Sequence, residues 1–395
     1  MKELAYHDAP LRVRDWAWRF TWTWPRVILA ALAGAGLLAS VYRFIYGLGA
    51  ATNLSDEWPW ALWISINVLS GVALSAGAFT LAAAVHLFRQ RSLEPLLRPA
   101  ILTGFLGYLQ VIMGLIVELG KPWNIWHPII MWQPRSAMFE VAWCVMLYTL
   151  VLFLEFTPVM MEKAGAGRRA LAVMHRIAPA VVVAGVVLST MHQSSLGTFF
   201  VLVPGKLHPL WNTMLLPVLF FTSAVALAMG MVSLMATLSA RSLMSWDPTP
   251  LVARLLQALP WVVGIYLIMK AGDLAWRGAL GALFTGSLEA ALFWLEIALI
   301  ALPAALVLNP RVRTSRRGQG WVGALMVAAV VLNRVNVSHF GLRAWTAAPY
   351  VPSLPEVAIS LGLIAAAVLA FIFIAENLPV FSHTPPRAAS PRAQG

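Results

Sequence analysis

Residues 286–308 read GSLEAALFWLEIALIALPAALVL, and Glu289 and Glu296 are the only ionisable groups in that run. A helix of this length crosses the ~30 Å hydrocarbon core of a bilayer, which takes about 20 apolar residues. It carries no polar stripe of the kind a soluble helix turns to water. The pattern recurs along the chain at 25–48, 59–88, 98–118, 137–161, 171–192, 210–238, 253–271, 319–338 and 356–375. The reading is an all-α integral membrane protein of about ten transmembrane helices. A cytoplasmic interfacial segment at 1–24, a membrane domain at 25–376 and a disordered cytoplasmic tail at 377–395 complete the organisation.

Composition agrees. Of 395 residues, 60% are hydrophobic and 11% charged, against about 25% charged in ordinary soluble domains. The net charge of +12 suits a nucleic-acid binder only if the basic residues gather in one patch, and they do not. They fall in short connections between apolar runs. Counted by alternate loops, twenty of the 28 Lys and Arg residues lie on the side that holds both termini, which the positive-inside rule makes the cytoplasm. Cys144, the one cysteine, can make no internal disulfide and cannot by itself hold an iron–sulfur cluster. No cleavable leader is apparent, and the location expected is the bacterial inner membrane.

Trp16, Trp18, Trp22 and Trp24 crowd the start of the first span, as an interfacial anchor does. Trp63 opens span two and Trp211 opens span six, a faint internal repeat. Counted from the first span, it divides the protein into two four-helix bundles, spans 1–4 and 5–8, with spans nine and ten added.

Ionisable side chains at membrane depth are costly and mark function by default. Glu140 near the start of span four and His192 at the end of span five are expected at a similar depth, about one turn below the outer surface. A carboxylate and an imidazole so placed can hold and deprotonate a hydroxyl on a flat apolar ring, which is the chemistry of a quinol. The structural alternative is that each ties helices together by hydrogen bonds. Glu140, Glu155 and Glu296 are candidates for a proton relay. The outer loop Glu118-Leu-Gly-Lys121-Pro-Trp-Asn-Ile-Trp126-His127-Pro, with Lys206-Leu-His208-Pro-Leu-Trp211, suggests an aromatic surface on which an extracytoplasmic partner docks or which rests among headgroups. The histidines pair poorly for haem: His86 and His175 lie near the inner face, His192 and His339 near the outer, without a mid-membrane ligand set.

The stretches Phe139-Glu140-Val-Ala-Trp-Cys144, Leu154-Glu155-Phe156, Thr190-Met-His192-Gln-Ser-Ser-Leu-Gly197 and Lys206-Leu-His-Pro-Leu-Trp211 resemble the HybB-type membrane subunits of nickel–iron hydrogenases, within the NrfD/PsrC (polysulfide reductase) family. The likeness runs from about Gly47 to Phe381. It implies a helical subunit without haem or iron–sulfur cluster, which exchanges electrons with menaquinone or ubiquinone. It implies a periplasmic iron–sulfur partner docked on the outer face, a catalytic subunit (hydrogenase large and small subunits) behind it, and proton translocation as an open question. The family's quinone pocket near the outer face maps onto Glu140 and His192, with Gln193 and Ser194 as neighbours and Asn67 and Tyr108 completing the set; no metal ligands are expected. Asn67 stands where family members often have an acid in span two, and Ala236-Thr237 where related subunits carry one in span six. A transporter without redox chemistry is the second reading. It calls for a midplane site with broken helices.

Overall fold

The computed structural model describes residues 18–58, 62–343 and 350–381. Trp16 and Trp60, most of the 1–24 segment and the tail from 382 onward lie outside those residues. Ten helices are long and apolar enough to cross a membrane: α1 (Trp24–Tyr46), α2 (Ile64–Leu87), α3 (Arg91–Glu118), α4 (Ala137–Lys163), α5 (Arg169–Val201), α6 (Leu216–Ser239), α7 (Thr249–Trp276), α8 (Leu288–Leu308), α9 (Arg316–Arg343) and α10 (Leu354–Asn377). The described residues contain no strand, as expected where lipid offers backbone groups no hydrogen-bond partners.

Helices α2–α5 close into one four-helix bundle and α6–α9 into a second, while α1 pairs with α10 against α3. Two bundles and two extra helices are what the sequence suggests, but the register differs by one: the extra pair is the first and last span, not the ninth and tenth. The tryptophan repeat does mark the bundles, since Trp63 opens α2 and Trp211 precedes α6. Helix α2 is the most deeply buried span and packs on α3, α5, α6 and α9.

Small residues set these contacts. Gly36 and Gly362 meet where α1 crosses α10, and a Cβ on Gly36 would stand 2.7 Å from the Gly362 Cα. Without a hydrophobic drive between helices in lipid, such close backbone approach supplies the dispersion contact. At the face where α1 begins and α10 ends, called the inner face from the sequence expectation, the Arg26 guanidinium grips Glu376, joining α1 to α10, and Arg98 takes both oxygens of Glu162 at 2.8 and 2.6 Å, joining α3 to α4. Serines cap α4, α8, α9 and α10 through Ser136, Ser287, Ser315 and Ser353, the last in a capping box with Glu356. Each satisfies a helix N-terminal amide that lipid cannot.

Helix α2 is irregular. It opens and closes in π-helical turns and bends at Ser75, whose hydroxyl donates back to the Gly71 carbonyl. Helix α9 has a matching π turn at Asn336–Phe340, and Ser65 of α2 meets Ser338 of α9 at 2.7 Å. Wide turns of this kind splay side chains inward and recur at functional sites.

Candidate functional site

The polar interior of the first bundle centres on His192. Helix α5 runs to Val201, nine residues beyond His192 and further than apolar content alone predicts. Gln193, Ser194 and Ser195 break the hydropathy pattern without ending the helix. At 1.5 Å per residue His192 therefore lies about 14 Å inside the outer end of α5, deeper than the one turn expected. Tyr108 of α3 lies at a similar depth, and its hydroxyl meets His192 Nδ1 at 2.8 Å. Both residues are buried, and Nε2, the other imidazole nitrogen, has no hydrogen-bond partner among the described residues.

Glu140 sits in the first turn of α4, half-buried, one turn nearer the outer face than His192. It does not touch the imidazole. Ser195, three residues after His192 and so on the same helical face, donates to Glu140 Oε1 at 2.7 Å. Ser195 is the residue that sequence reading missed here. Ser194, named as a neighbour of the pair, instead donates to the Thr190 carbonyl of its own helix. Gln193 points to α2, donating to the Val72 carbonyl at 3.0 Å and leaving its Oε1 unpartnered. Asn67, in the π turn of α2, lies 3.5 Å from Gln110 Nε2 with its own Nδ2 unpartnered. Gly114 makes room for it, since a Cβ there would come within 3.0 Å of the Asn67 Cβ. The result is an apolar bundle holding a row of buried hydrogen-bonding groups from α2, α3, α4 and α5. Such a row orients a flat, greasy molecule by its oxygens. The set Glu140, His192, Tyr108, Gln193 and Asn67 thus falls in one bundle, while the Ser194 hydroxyl is taken up by its own helix.

Charge in the second bundle forms a separate centre. Lys270 of α7 and Glu296 of α8 make a buried ion pair. Glu296 also accepts from Asn333 and Asn336 at 2.8 Å each and from Trp211 Nε1 at 3.0 Å. Arg334, fully buried, bonds Asn333 Oδ1, the Phe220 carbonyl and the Ser223 hydroxyl. Three sequence readings change accordingly. Lys270 and Arg334, two of the eight basic residues that the loop count left on the side away from the termini, are interior groups, so the loops on that side are poorer in cations than the count implied. Glu296 belongs to the second bundle and not to a relay through Glu140 and Glu155. Trp211 is buried, so the exposed aromatic surface is carried by the loop before α4, where Trp123, Trp126 and Trp132 are 68%, 46% and 64% exposed.

Outside the membrane, His208 donates its backbone N–H to the Gly341 carbonyl, and its Nδ1 accepts from the Leu210 amide at 3.3 Å. Burial lowers its pKa, opposed by the Glu289 carboxylate. At the inner ends of α2–α5 a cavity of about 170 Å³ opens between His86, Arg98, Glu155, Pro158 and His175.

Comparison with known proteins adds an independent line. The family model described as polysulphide reductase, NrfD matches residues 50–342. A protein of Nitratidesulfovibrio vulgaris, whose name states no function, is 34% identical over 91% of this chain and 95% of its own. The probable Ni/Fe-hydrogenase 2 b-type cytochrome subunit of Escherichia coli is 27% identical over 90% of this chain and 92% of its own. A menaquinone reductase integral membrane subunit of N. vulgaris is 26% identical over 88% of this chain and 89% of its own.

The second of these corrects an expectation. Haem is not excluded as the sequence reading had it, because a relative matched along nearly the whole chain is named a b-type cytochrome subunit. Bis-imidazole ligation needs two histidines facing across a pocket. Among the described residues His86 and His175 border one cavity, but its 170 Å³ is below the ~300 Å³ at which small-molecule sites begin. His192 keeps Nε2 unpartnered but lies on α5 in the first bundle, whereas His339 lies on α9 in the second and is packed among Trp58, Phe340 and Tyr350. Among the described residues no pair of these four histidines frames a porphyrin-sized pocket.

Proposed function

Because the chain belongs to the NrfD polysulphide reductase family, we propose that it is the quinone-reactive membrane subunit of a respiratory oxidoreductase complex. The observation that carries this reading is the Tyr108–His192 contact with Ser195 and Glu140 one turn above it, buried in an otherwise apolar bundle. The names of the hydrogenase and menaquinone reductase relatives support it.

The chemistry balances as quinone plus two electrons plus two protons giving quinol, or the reverse. His192 Nε2 meets one quinone oxygen and moves a proton to or from it, while Tyr108 fixes the ring through Nδ1. Glu140, oriented by the Ser195 hydroxyl, serves protons at the outer edge. Electrons come from a redox partner carrying iron–sulfur clusters, docked on the exposed Trp123–Trp132 loop at the periplasmic face. The location is the bacterial inner membrane, with both termini cytoplasmic.

The test is quinone turnover by the purified complex carrying Glu140→Gln or His192→Ala, with assembly checked by co-purification of the redox partner. A fall of orders of magnitude in an assembled complex is expected. Normal turnover by both variants refutes the site.

A further inference from the structure

The inner end of the second bundle gathers six arginines that make no ion pair. Arg241 follows α6, Arg254 lies in α7, Arg311 and Arg313 occupy the connection from α8 to α9, and Arg316 and Arg317 open α9. Gln319 holds these segments together. Its Nε2 donates to the Thr249 carbonyl at the start of α7 and to the Arg313 carbonyl, each at 2.8 Å. Its own carbonyl accepts from Ser233 of α6 at 2.9 Å. Elsewhere on the same face arginines are matched, Arg26 by Glu376 and Arg98 by Glu162. None of the six meets a carboxylate among the described residues. Asp247, the one acid in these segments, accepts instead from the amide and hydroxyl of Thr249, at 3.0 and 2.6 Å.

Topology explains basic connections, and the C-terminal ends of α6 and α8 favour a nearby cation. Neither explains Arg316 and Arg317. They stand in the first turn of α9, where free amides disfavour cations and attract anions. Arg316 reaches back to the end of α6, and its guanidinium donates to the Thr237 carbonyl at 3.4 Å. Gly320 permits the approach, since a Cβ there would stand 3.1 Å from Thr237 Cγ2. Arg316 Nε and Thr237 Oγ1 are left without a partner among the described residues, a state rare for buried polar atoms. Both residues are half-buried, and one long bond holds the guanidinium, so it can turn to an acceptor arriving from the surface. A guanidinium and a hydroxyl side by side suit a phosphate oxygen.

The surroundings point to the source of that phosphate. Leu238, Leu308 and Trp321 are exposed on the flanks of these segments, and Trp321, four residues after Arg317, shares its face of α9. The cationic patch thus borders the lipid-facing surface, at the level where tryptophan and arginine meet headgroups. An anion held there keeps its acyl chains in the bilayer. We propose that the inner end of the second bundle binds an anionic phospholipid. Its phosphate is held by Arg316, Arg317 and Thr237, the other four arginines ring the headgroup, and its chains lie along Leu238 and Trp321.

The test is native mass spectrometry of the full chain, purified in a neutral detergent and titrated with dioleoyl phosphatidylglycerol, with zwitterionic dioleoyl phosphatidylcholine as reference. The parent is expected to prefer phosphatidylglycerol by at least about tenfold, as two or more guanidinium contacts imply. Arg316→Gln/Arg317→Gln is expected to erase the preference. Thr237→Val, which keeps charge and shape, is expected to lower it about fivefold, the share of one hydrogen bond. Arg169→Gln/Arg176→Gln takes the same charge from exposed positions at the start of α5 and is expected to leave the preference intact. Equal retention of the two lipids by the parent overturns the proposal and leaves the patch to a protein partner or to topology. Equal losses in the two double variants also overturn it, because net charge alone then sets the preference. Displacement of phosphatidylglycerol by millimolar inorganic phosphate marks a free-anion site and overturns the lipid assignment. If the Arg316→Gln/Arg317→Gln protein does not fold, Thr237→Val decides, and an unchanged preference there overturns the site.

Discussion

The second-bundle centre holds Lys270, Arg334 and Glu296, two buried cations against one buried anion. Glu296→Gln keeps the shape and most of the hydrogen bonds but leaves both cations without a counter-charge. Breaking a buried pair from one side costs about 3–5 kcal/mol, and this change belongs at the upper end because Arg334 lies one Asn333 away. Lys270→Met is milder. The carboxylate keeps Asn333, Asn336 and Trp211 as donors and Arg334 as its nearby cation, so the loss is about that of one charged hydrogen bond, roughly 1.5–3 kcal/mol. The double change Lys270→Met/Glu296→Gln restores the parent's net charge of the centre and should be more stable than Glu296→Gln alone. Unfolding of the purified protein by sodium dodecyl sulfate, followed by tryptophan fluorescence, ranks the three. If Lys270→Met is at least as damaging as Glu296→Gln, or the double variant is worse than Glu296→Gln, then net charge does not govern this centre.

Two further outcomes are expected. Ser195→Ala removes the hydroxyl that orients Glu140. A charged hydrogen bond of roughly 1.5–3 kcal/mol, at 1.36 kcal/mol per tenfold, means a fall of about tenfold or more in quinone turnover with assembly intact, and an unchanged rate refutes the role. His208 has its folded pKa lowered by burial, so the unfolded loop binds protons more readily. Stability from this group is present above the unfolded value of about 6.5 and is lost as pH falls below it. Amide exchange of the loop before α6 should accelerate at pH 5.5 relative to its intrinsic rate, and His208→Gln should abolish the difference; equal protection at pH 5.5 and 7.5 in the parent refutes it.

Helix number and membrane class are legible because lipid forbids a polar helix face, so each span shows as an uninterrupted apolar run. What misleads is the same signal at its edges. Gln193, Ser194 and Ser195 look like a span end, yet they turn inward or back onto α5, and the helix continues to Val201. Lys270 and Arg334 look like loop charges because a basic residue near the end of an apolar window usually is one. Their partner Glu296 is distant in sequence, and only packing shows that they share one carboxylate network. The bundle register was present in Trp63 and Trp211, but a count begun at α1 hides it, since α1 closes against α10 and not within a bundle. Glu140 and His192 stand out as ionisable residues at membrane depth. Ser195 does not, because a serine in a membrane helix carries no charge to draw attention, and its bond to Glu140 depends on how α4 packs against α5.

The central claim is that quinone binds in the first bundle against His192 and Tyr108. The most direct measurement is photolabelling of the assembled complex with an azido-quinone, with the modified peptides mapped by mass spectrometry. The account predicts label in α3 around Tyr108 and in α5 around His192, suppressed by excess unlabelled quinone. Competable label confined to the second bundle, or to the inner cavity around His86 and His175, would contradict it.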